Sequence, residues 1–459
     1  MKKSLFFMLA MMCLAPQTIK AQGDSESKYI RNSLYMMKLD MPVQEGENAE
    51  FLHAFDVMNK AFDGINFAQR YERYNDFSLA NRHIDWSAIP EVTKEEMDAI
   101  EKESKKDQLL KTQLESLGVK VDPISEREYA ARLLKYFNQN KIGNQLVAKW
   151  HVEEGASTDN VTAWDDKLSV IMNLGMKGLS EEERANALAS GNINQVCGDS
   201  ENKLLSTTYV CVNNYRLMTA KEKSATAIAL AQVALEYLPG PAQIAGQAAV
   251  TAAKIAAEKT KGFFVKTNAY LFKLDWDQAK FDAFYQDYWS NPSAFNEKAN
   301  YQLKYVGKSS KYAGAGLTMS SGKVDELTAR GALRATDAAF AALQRDNEEF
   351  RPMCSLHEED GKLVAYIGKK EGIQGGDKFN VFMMQEEKDK SITWKQVGTI
   401  KVDKKGVWDN REGAGQVIEG AAEDAADKEE STDTALKYTV FANKPSKKIG
   451  AGCMIQLAK

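Results

Sequence analysis

Two carboxylates flanking one tryptophan, Asp275 and Asp277 in Leu274-Asp-Trp-Asp277, have the best placement for chemistry in the chain. They follow a strand-like segment, and a pair of acids at a strand's end is how a hydrolase supplies one general acid and one base. Helix initiation accounts for the same two residues, because a carboxylate there accepts free backbone N–H groups and sits at the positive end of the helix dipole. The second reading is the simpler one, so no catalytic residue is assigned. Just beyond, Phe281, Phe284, Tyr285, Tyr288 and Trp289 fall at i, i+3, i+4, i+7 and i+8. Aromatics can stack on sugar rings, but this spacing marks the stripe that fixes a helix on its sheet, and the five are expected in the core.

Other chemistries fail on spacing. His53, His83, His151 and His357 lie far apart without paired-ligand spacing, and His83-Ile-Asp85 is the nearest approach to a metal-binding pair. Gly307-Lys-Ser309 ends like a phosphate-binding loop, but Gln302 stands where the first glycine is required. Gly314-Ala-Gly316 lacks the third glycine of a dinucleotide fingerprint, Met319 standing there, and no Gly-x-Ser-x-Gly elbow occurs. No cofactor and no metal are expected.

Residues 1–21 read as a secretory signal, with Lys2 and Lys3 as the charged start, Leu5–Ala15 as an apolar core too short to span a bilayer, and Ala21 as the last residue removed. Met11-Met12 before Cys13 are not the small residues of a lipoprotein cleavage site, so the expectation is an exported protein of the periplasm or exterior, without a lipid anchor. Loss of Lys2, Lys3 and Lys20 takes the formal charge from −4 to −7, and with no basic stripe nucleic acid is excluded as a partner. Four cysteines remain, Cys197, Cys211, Cys354 and Cys453. They allow three pairings; placement favours Cys197–Cys211 and Cys354–Cys453, with four reduced thiols as the equal alternative.

Without that 21-residue leader, the 438 that remain of 459 residues leave room for two or three domains. The patterning gives a strand at Tyr29–Leu39, a helix at Glu47–Ile65 with Phe51, Phe55, Met58 and Phe62 inward, and an ordered loop at Arg70–Trp86. Val92–Leu117 reads as a solvent-exposed helix, and Ser125-Glu-Arg-Glu128 is a capping box opening another. Asn144–Val152 is expected as a strand, Thr158–Met176 as a helix, and Ser180-Glu-Glu-Glu183 as the cap of a short one. Leu204–Tyr215 and Gly262–Leu274 read as strands of one sheet, followed by a strand at Asn300–Gly307, a Gly/Ser loop and a long helix over Val324–Phe350. After Pro352 come short strands, Lys362–Gly368, Lys378–Gln385, Ile392–Asp403, Leu436–Asn443 and Cys453–Ala458, with the Ala/acidic tract Glu419–Thr434 as a flexible loop.

Between the two strands of the middle sheet lies an alanine-rich stretch, 219–258. Thr219-Ala-Lys-Glu222 has capping-box spacing and Leu238-Pro-Gly-Pro241 breaks the run, giving a helical hairpin. Ile228, Leu230, Val233, Leu235, Ile244, Val250 and Ile255 suit close helix packing. Internal packing ranks first, docking of a partner second, and peripheral membrane contact third, since each arm is shorter than a span.

The C-terminal runs GKKEGIQGGDKFNVF, VGTIKV and KKIGAGCMIQL resemble the small β-barrel of the flagellar T-ring periplasmic protein. The middle runs TTYVCVNNY and VKTNAYLFKLDWD resemble a family of exported envelope proteins of Bacteroidota-type Gram-negative bacteria, and more faintly the curli-secretion lipoprotein family. The lipid-bearing cysteine of the curli family is absent, and the alanine hairpin occupies the place of its pore strands. The resemblance implies binding or scaffolding in the envelope.

The expected fold is α+β: a mixed sheet with flanking helices over 22–350, an inserted Ala-rich helical hairpin at 219–258, and a small C-terminal β-barrel over 352–459. The expected role is a non-enzymatic envelope binding or assembly component whose partner is an envelope protein or a glycan. A hydrolase of glycans or peptides, and a membrane-associated protein acting through the hairpin, are the alternatives.

Overall fold

Apolar residues on both faces of its strands place one mixed sheet inside the molecule. The computed structural model describes the chain from Tyr29 to Ala458 apart from residues 31–32, 44–47, 66–82, 101–104, 119–123, 154, 166–200, 237–245, 248–249, 252–253, 255–261, 318–322, 387–391, 413 and 415–435. The leader, the cap at Ser180–Glu183, Cys197, Ile244, Ile255 and the whole Ala/acidic tract Glu419–Thr434 lie outside the described residues.

The first expected strand divides in two, β1 (Tyr29–Ile30), which joins another sheet, and β2 (Ser33–Asp40). β2 pairs in parallel with β3 (His83–Asp85) and with β4 (Thr208–Thr219). β4 pairs antiparallel with β5 (Phe263–Leu274), and β5 with the edge strand β6 (Leu303–Gly314). The described helices are α1 (Ala49–Asp63), α2 (Lys94–Ile100), α3 (Lys105–Ser116), α4 (Glu126–Gln139), α5 (Ile142–Lys149), α6 (Ala220–Glu236), α7 (Gln278–Ala283), α8 (Pro292–Lys298) and α9 (Val324–Asp346). Along β2, Tyr35, Met37 and Leu39 enter one core, packed by α4, α5 and the aromatics Phe284 and Phe295. Leu34 and Met36 enter the other, packed by Met58 and Phe62 of α1 and by Ala335, Ala339 and Phe340 of α9. The result is an α+β fold with helices on both faces of the sheet.

Four expectations about local structure are corrected. Asn144–Val152 is not a strand: it belongs largely to α5, where Gly143, Asn144, Leu146, Val147 and Ala148 are all buried. A short run buried all round shows no periodicity to tell helix from strand. Thr158–Asp165 is irregular rather than helical, and residues 201–206 are helical where the strand was to begin. β6 continues through the expected Gly/Ser loop, paired with β5 from Leu274–Leu303 to Phe264–Gly314. The ladder outweighs the weak strand preference of Gly307-Lys-Ser-Ser-Lys.

The capping box at Thr219 forms as read, with Thr219 N donating to Glu222 Oε2 at 2.8 Å and Glu222 N to Thr219 Oγ1 at 3.2 Å. Thr219 and Phe263 are register partners, and Ala220 N donates to Gly262 O at 3.0 Å. The insertion therefore enters and leaves at one end of the β4–β5 pair. Its α6 lies against α3.

Beyond α9 two small sheets share a core. The first has the order β1-β7-β13-β10-β11, from β7 (Met353–Ser355), β10 (Lys378–Glu386), β11 (Ile392–Lys401) and β13 (Met454–Leu457), completed by β1 from the other end of the chain. The second is β12-β9-β8, from β8 (His357–Glu359), β9 (Lys362–Ala365) and β12 (Thr439–Val440). Leu356, Leu363, Phe379, Ile400, Phe441 and Ile455 pack in one cluster between them. In the turn Glu371–Asp377, Gly372 and Gly376 have φ of 77° and 90°, the left-handed conformation that favours glycine. Arg345 at the end of α9 forks onto the Asp377 carboxylate at 2.7 and 3.2 Å and donates to Gly372 O at 2.9 Å, fastening the two halves together.

Candidate functional site

The acid pair is committed to structure. Asp277 caps α7, accepting from Lys280 N at 2.9 Å, as helix initiation requires, whereas Asp275 does not cap the helix. Asp275 Oδ1 lies 2.8 Å from Lys304 Nζ and 3.2 Å from Lys280 Nζ. Partial burial works against ionisation of Asp275, but the two ammonium groups hold its carboxyl below the usual range; the Lys280 backbone N–H does the same for Asp277. Neither is placed to serve as a proton donor near neutrality.

The aromatic stripe packs inward, around a polar group that sequence reasoning missed. Phe284 is fully buried, and Phe281, Tyr285, Tyr288 and Trp289 pack on the same core. Among them His151 and Glu201, each 2% exposed, meet at 2.8 Å between Nε2 and Oε1. His151 Nδ1 lies 2.8 Å from Val147 O, and Tyr285 donates its hydroxyl to Glu201 Oε1 at 2.8 Å. Burial and then the Glu201 carboxylate push the Tyr285 phenol far above its ordinary value. The rings of Phe284, Trp289 and Trp164 stand 4.6, 5.9 and 6.2 Å from the imidazole, so the cluster is shut from solvent. Its residues come from segments 50 or more positions apart, which leaves no local motif to find.

On the same side of the sheet, an open cavity of about 340 Å³ lies where the α4–α5 turn meets α8 and residues 158–161. Its walls are held by two asparagines. Buried Asn144 donates to Ala299 O at 2.7 Å and accepts from Tyr301 N at 2.8 Å, pinning α5 to the chain entering β6. Gly143 makes that approach feasible, since a Cβ there would stand 2.0 Å from Tyr301 O. Asn296 accepts from Val161 N at 3.0 Å and donates to Val161 O at 2.8 Å and Asn160 Oδ1 at 2.9 Å, pinning the opposite wall to α8. Lys141 turns the chain with φ 47°, a left-handed conformation that costs a non-glycine residue about 1–2 kcal/mol, and donates its Nζ to Asn296 O at 2.6 Å. Tyr136, whose phenol burial pushes up, Thr158, and the solvent-exposed Gln139 and Asp159 also line this frame, bringing an amide, a hydroxyl and a carboxylate to it. Among the described residues none of the last three side-chain groups has a hydrogen-bond partner, although Thr158 is only 9% exposed.

No protein family, curated protein or solved structure matches the chain.

The remaining expected site residues are scattered. His83 does not pair with Asp85: its Nδ1 lies 3.0 Å from Asp40 and its Nε2 2.7 Å from Asp63, while Asp85 accepts from Ser87 N at 2.9 Å. Among the described residues no group of three His, Cys, Asp or Glu side chains is arranged to hold a metal. Cys211 is buried in the sheet core and its proposed partner Cys197 lies outside the described residues. Cys354 and Cys453 share the C-terminal core, but Cys453 directs its thiol to Lys448 O at 3.7 Å, so the expected Cys354–Cys453 bridge is not formed here. On the hairpin, Ile228, Val233 and Val250 are buried and Leu235 half-buried, in keeping with the internal packing ranked first and leaving them no part in the partner or membrane face that was the alternative; Leu230 alone of the described set is open, at 42%. No helix among the described residues is long and apolar enough to cross a membrane.

Proposed function

We propose that this chain is a non-enzymatic, exported binding component of the cell envelope, and that the cavity beside α5 is its binding site. The observation that carries the reading is the division of labour among the cavity's polar groups. Asn144 and Asn296 use their amides on the walls, whereas Gln139, Thr158 and Asp159 keep theirs for an occupant. A rigid frame with a few uncommitted polar groups is the mark of a preformed ligand site, and its volume lies within the usual range for one. The lysine-paired state of Asp275 supports binding over hydrolysis. Export rests on the leader pattern of residues 1–21. The envelope setting rests on the likeness of the C-terminal turns and strands to the T-ring barrel, whose two halves we read in the paired small sheets.

The test is retention of the leaderless chain on isolated bacterial envelope. The chain is expected to sediment with envelope, and the exposed double variant Gln139→Ala/Asp159→Ala to stay in the supernatant with an unchanged circular dichroism spectrum. A chain that ignores the envelope, or a double variant retained as well as the parent, contradicts the proposal.

A further inference from the structure

The chemistry of the cavity names a ligand class, an inference that rests on the binding role just proposed. We infer that the site takes a neutral pyranose, as a unit of an envelope glycan.

Sugar hydroxyls each donate and accept, so a sugar site needs groups of both kinds close together, next to an apolar surface for the C–H face of the ring. The Gln139 amide supplies a donor and an acceptor, the Thr158 hydroxyl either, and the Asp159 carboxylate two acceptor oxygens able to take a pair of neighbouring hydroxyls. Tyr136, half-buried near the end of α4, supplies the apolar surface, with the buried Phe295 behind it on the lining. Thr158 lines the cavity; the residue is nine-tenths buried, but its hydroxyl is open to solvent and makes no hydrogen bond among the described residues, so it is available to a ligand that replaces water there.

Charge argues against an anion. Among the described residues Lys141 is the one cation on the lining and its ammonium is already donated to Asn296 O, whereas the Asp159 carboxylate is open and would repel phosphate or a uronate. Among the described residues the lining is mostly polar, with Tyr136, Ile142 and Phe295 as its apolar members, a poor match for an acyl chain.

Saturation-transfer NMR on the leaderless chain tests this with methyl glycosides of glucose, galactose, mannose and N-acetylglucosamine, beside glucuronate, inorganic phosphate and a dialanine peptide. At least one neutral glycoside is expected to bind. Asp159→Asn and Thr158→Val, both of near-native shape, are each expected to weaken that binding about tenfold, the effect of one lost hydrogen bond to a charged or buried partner. Neutral sugars that bind equally well to both variants place the site elsewhere and overturn the inference. Binding of only phosphate, glucuronate or the peptide, lost in the same variants, overturns the sugar class and leaves the binding role standing. If no probe binds and envelope retention is unaffected by either variant, both fall.

Discussion

Two polar clusters hang on the same short helix and have opposite fates. At one end of α5, His151, Glu201 and Tyr285 satisfy one another inside a shell of aromatics, each contact 2.8 Å. At the other end, the groups around Lys141 and Asn144 build a frame and leave three side chains unused, one of them nine-tenths buried. A closed cluster contributes to a unique core, because every donor has its acceptor and none is available to a ligand. An open one gives up that internal bonding and gains a site. The contrast separates polar groups that complete a core from polar groups that stay open to an occupant, and the binding proposal rests on the second kind.

The largest expected effect is on the closed cluster. Glu201→Ala leaves His151 and Tyr285 buried without their shared acceptor, and urea unfolding is expected to show a loss of about 3–5 kcal/mol. Glu201→Gln, which retains an acceptor oxygen, is expected to lose less. A loss under about 1 kcal/mol in the alanine variant would mean that the cluster is not a stabilising core and would break the comparison. Gly143→Ala comes next: its Cβ meets the Tyr301 backbone at 2.0 Å, and α5 must shift at a cost of about 1–3 kcal/mol or more, with binding lost as the cavity wall moves. At the open site the balance reverses. Thr158→Val and Asp159→Asn are expected to change stability by no more than about 0.5 kcal/mol while impairing ligand binding.

The smallest effect is a pH dependence. Asp275 has its folded pKa held below the ordinary 3.8. Its contribution is therefore present at pH values above 3.8 and is lost as the pH falls through the lower folded value. The stability gap between the parent and Asp275→Asn should accordingly narrow on acidification below pH 4, and a gap that instead widened would contradict the lysine pairing.

Much of the scaffold was legible because its signals are local. The N-cap at Ser125, the capping box at Thr219, the aromatic stripe from Phe281, the helix over α9 and the glycine–Asp turn each have local signals, and the folded protein shows all of them, although at Ser125 only the Ser half of the expected box forms, accepting from Glu128 N. What failed depended on distant partners. α5 was mistaken for a strand because burial on every side erased its periodicity, and β6 was cut short because its length comes from pairing with β5. β1 joins β7 across more than three hundred residues, a pairing that no pattern within Tyr29–Leu39 announces. The candidate site was illegible for the same reason: Gln139, Thr158 and Asn296 are unremarkable singly, and only the meeting of the α4–α5 turn with α8 gives them a shared cavity.

Thermal unfolding with and without soluble glycan fragments released from bacterial envelope tests the central claim most directly, because a ligand that binds the native state raises the transition temperature. The fragments are predicted to raise it for the parent chain and for Glu201→Gln, which starts lower, and to leave Asp159→Ala unmoved. An unshifted parent, or an equal shift in Asp159→Ala, would contradict the assignment of the open cluster as the binding site.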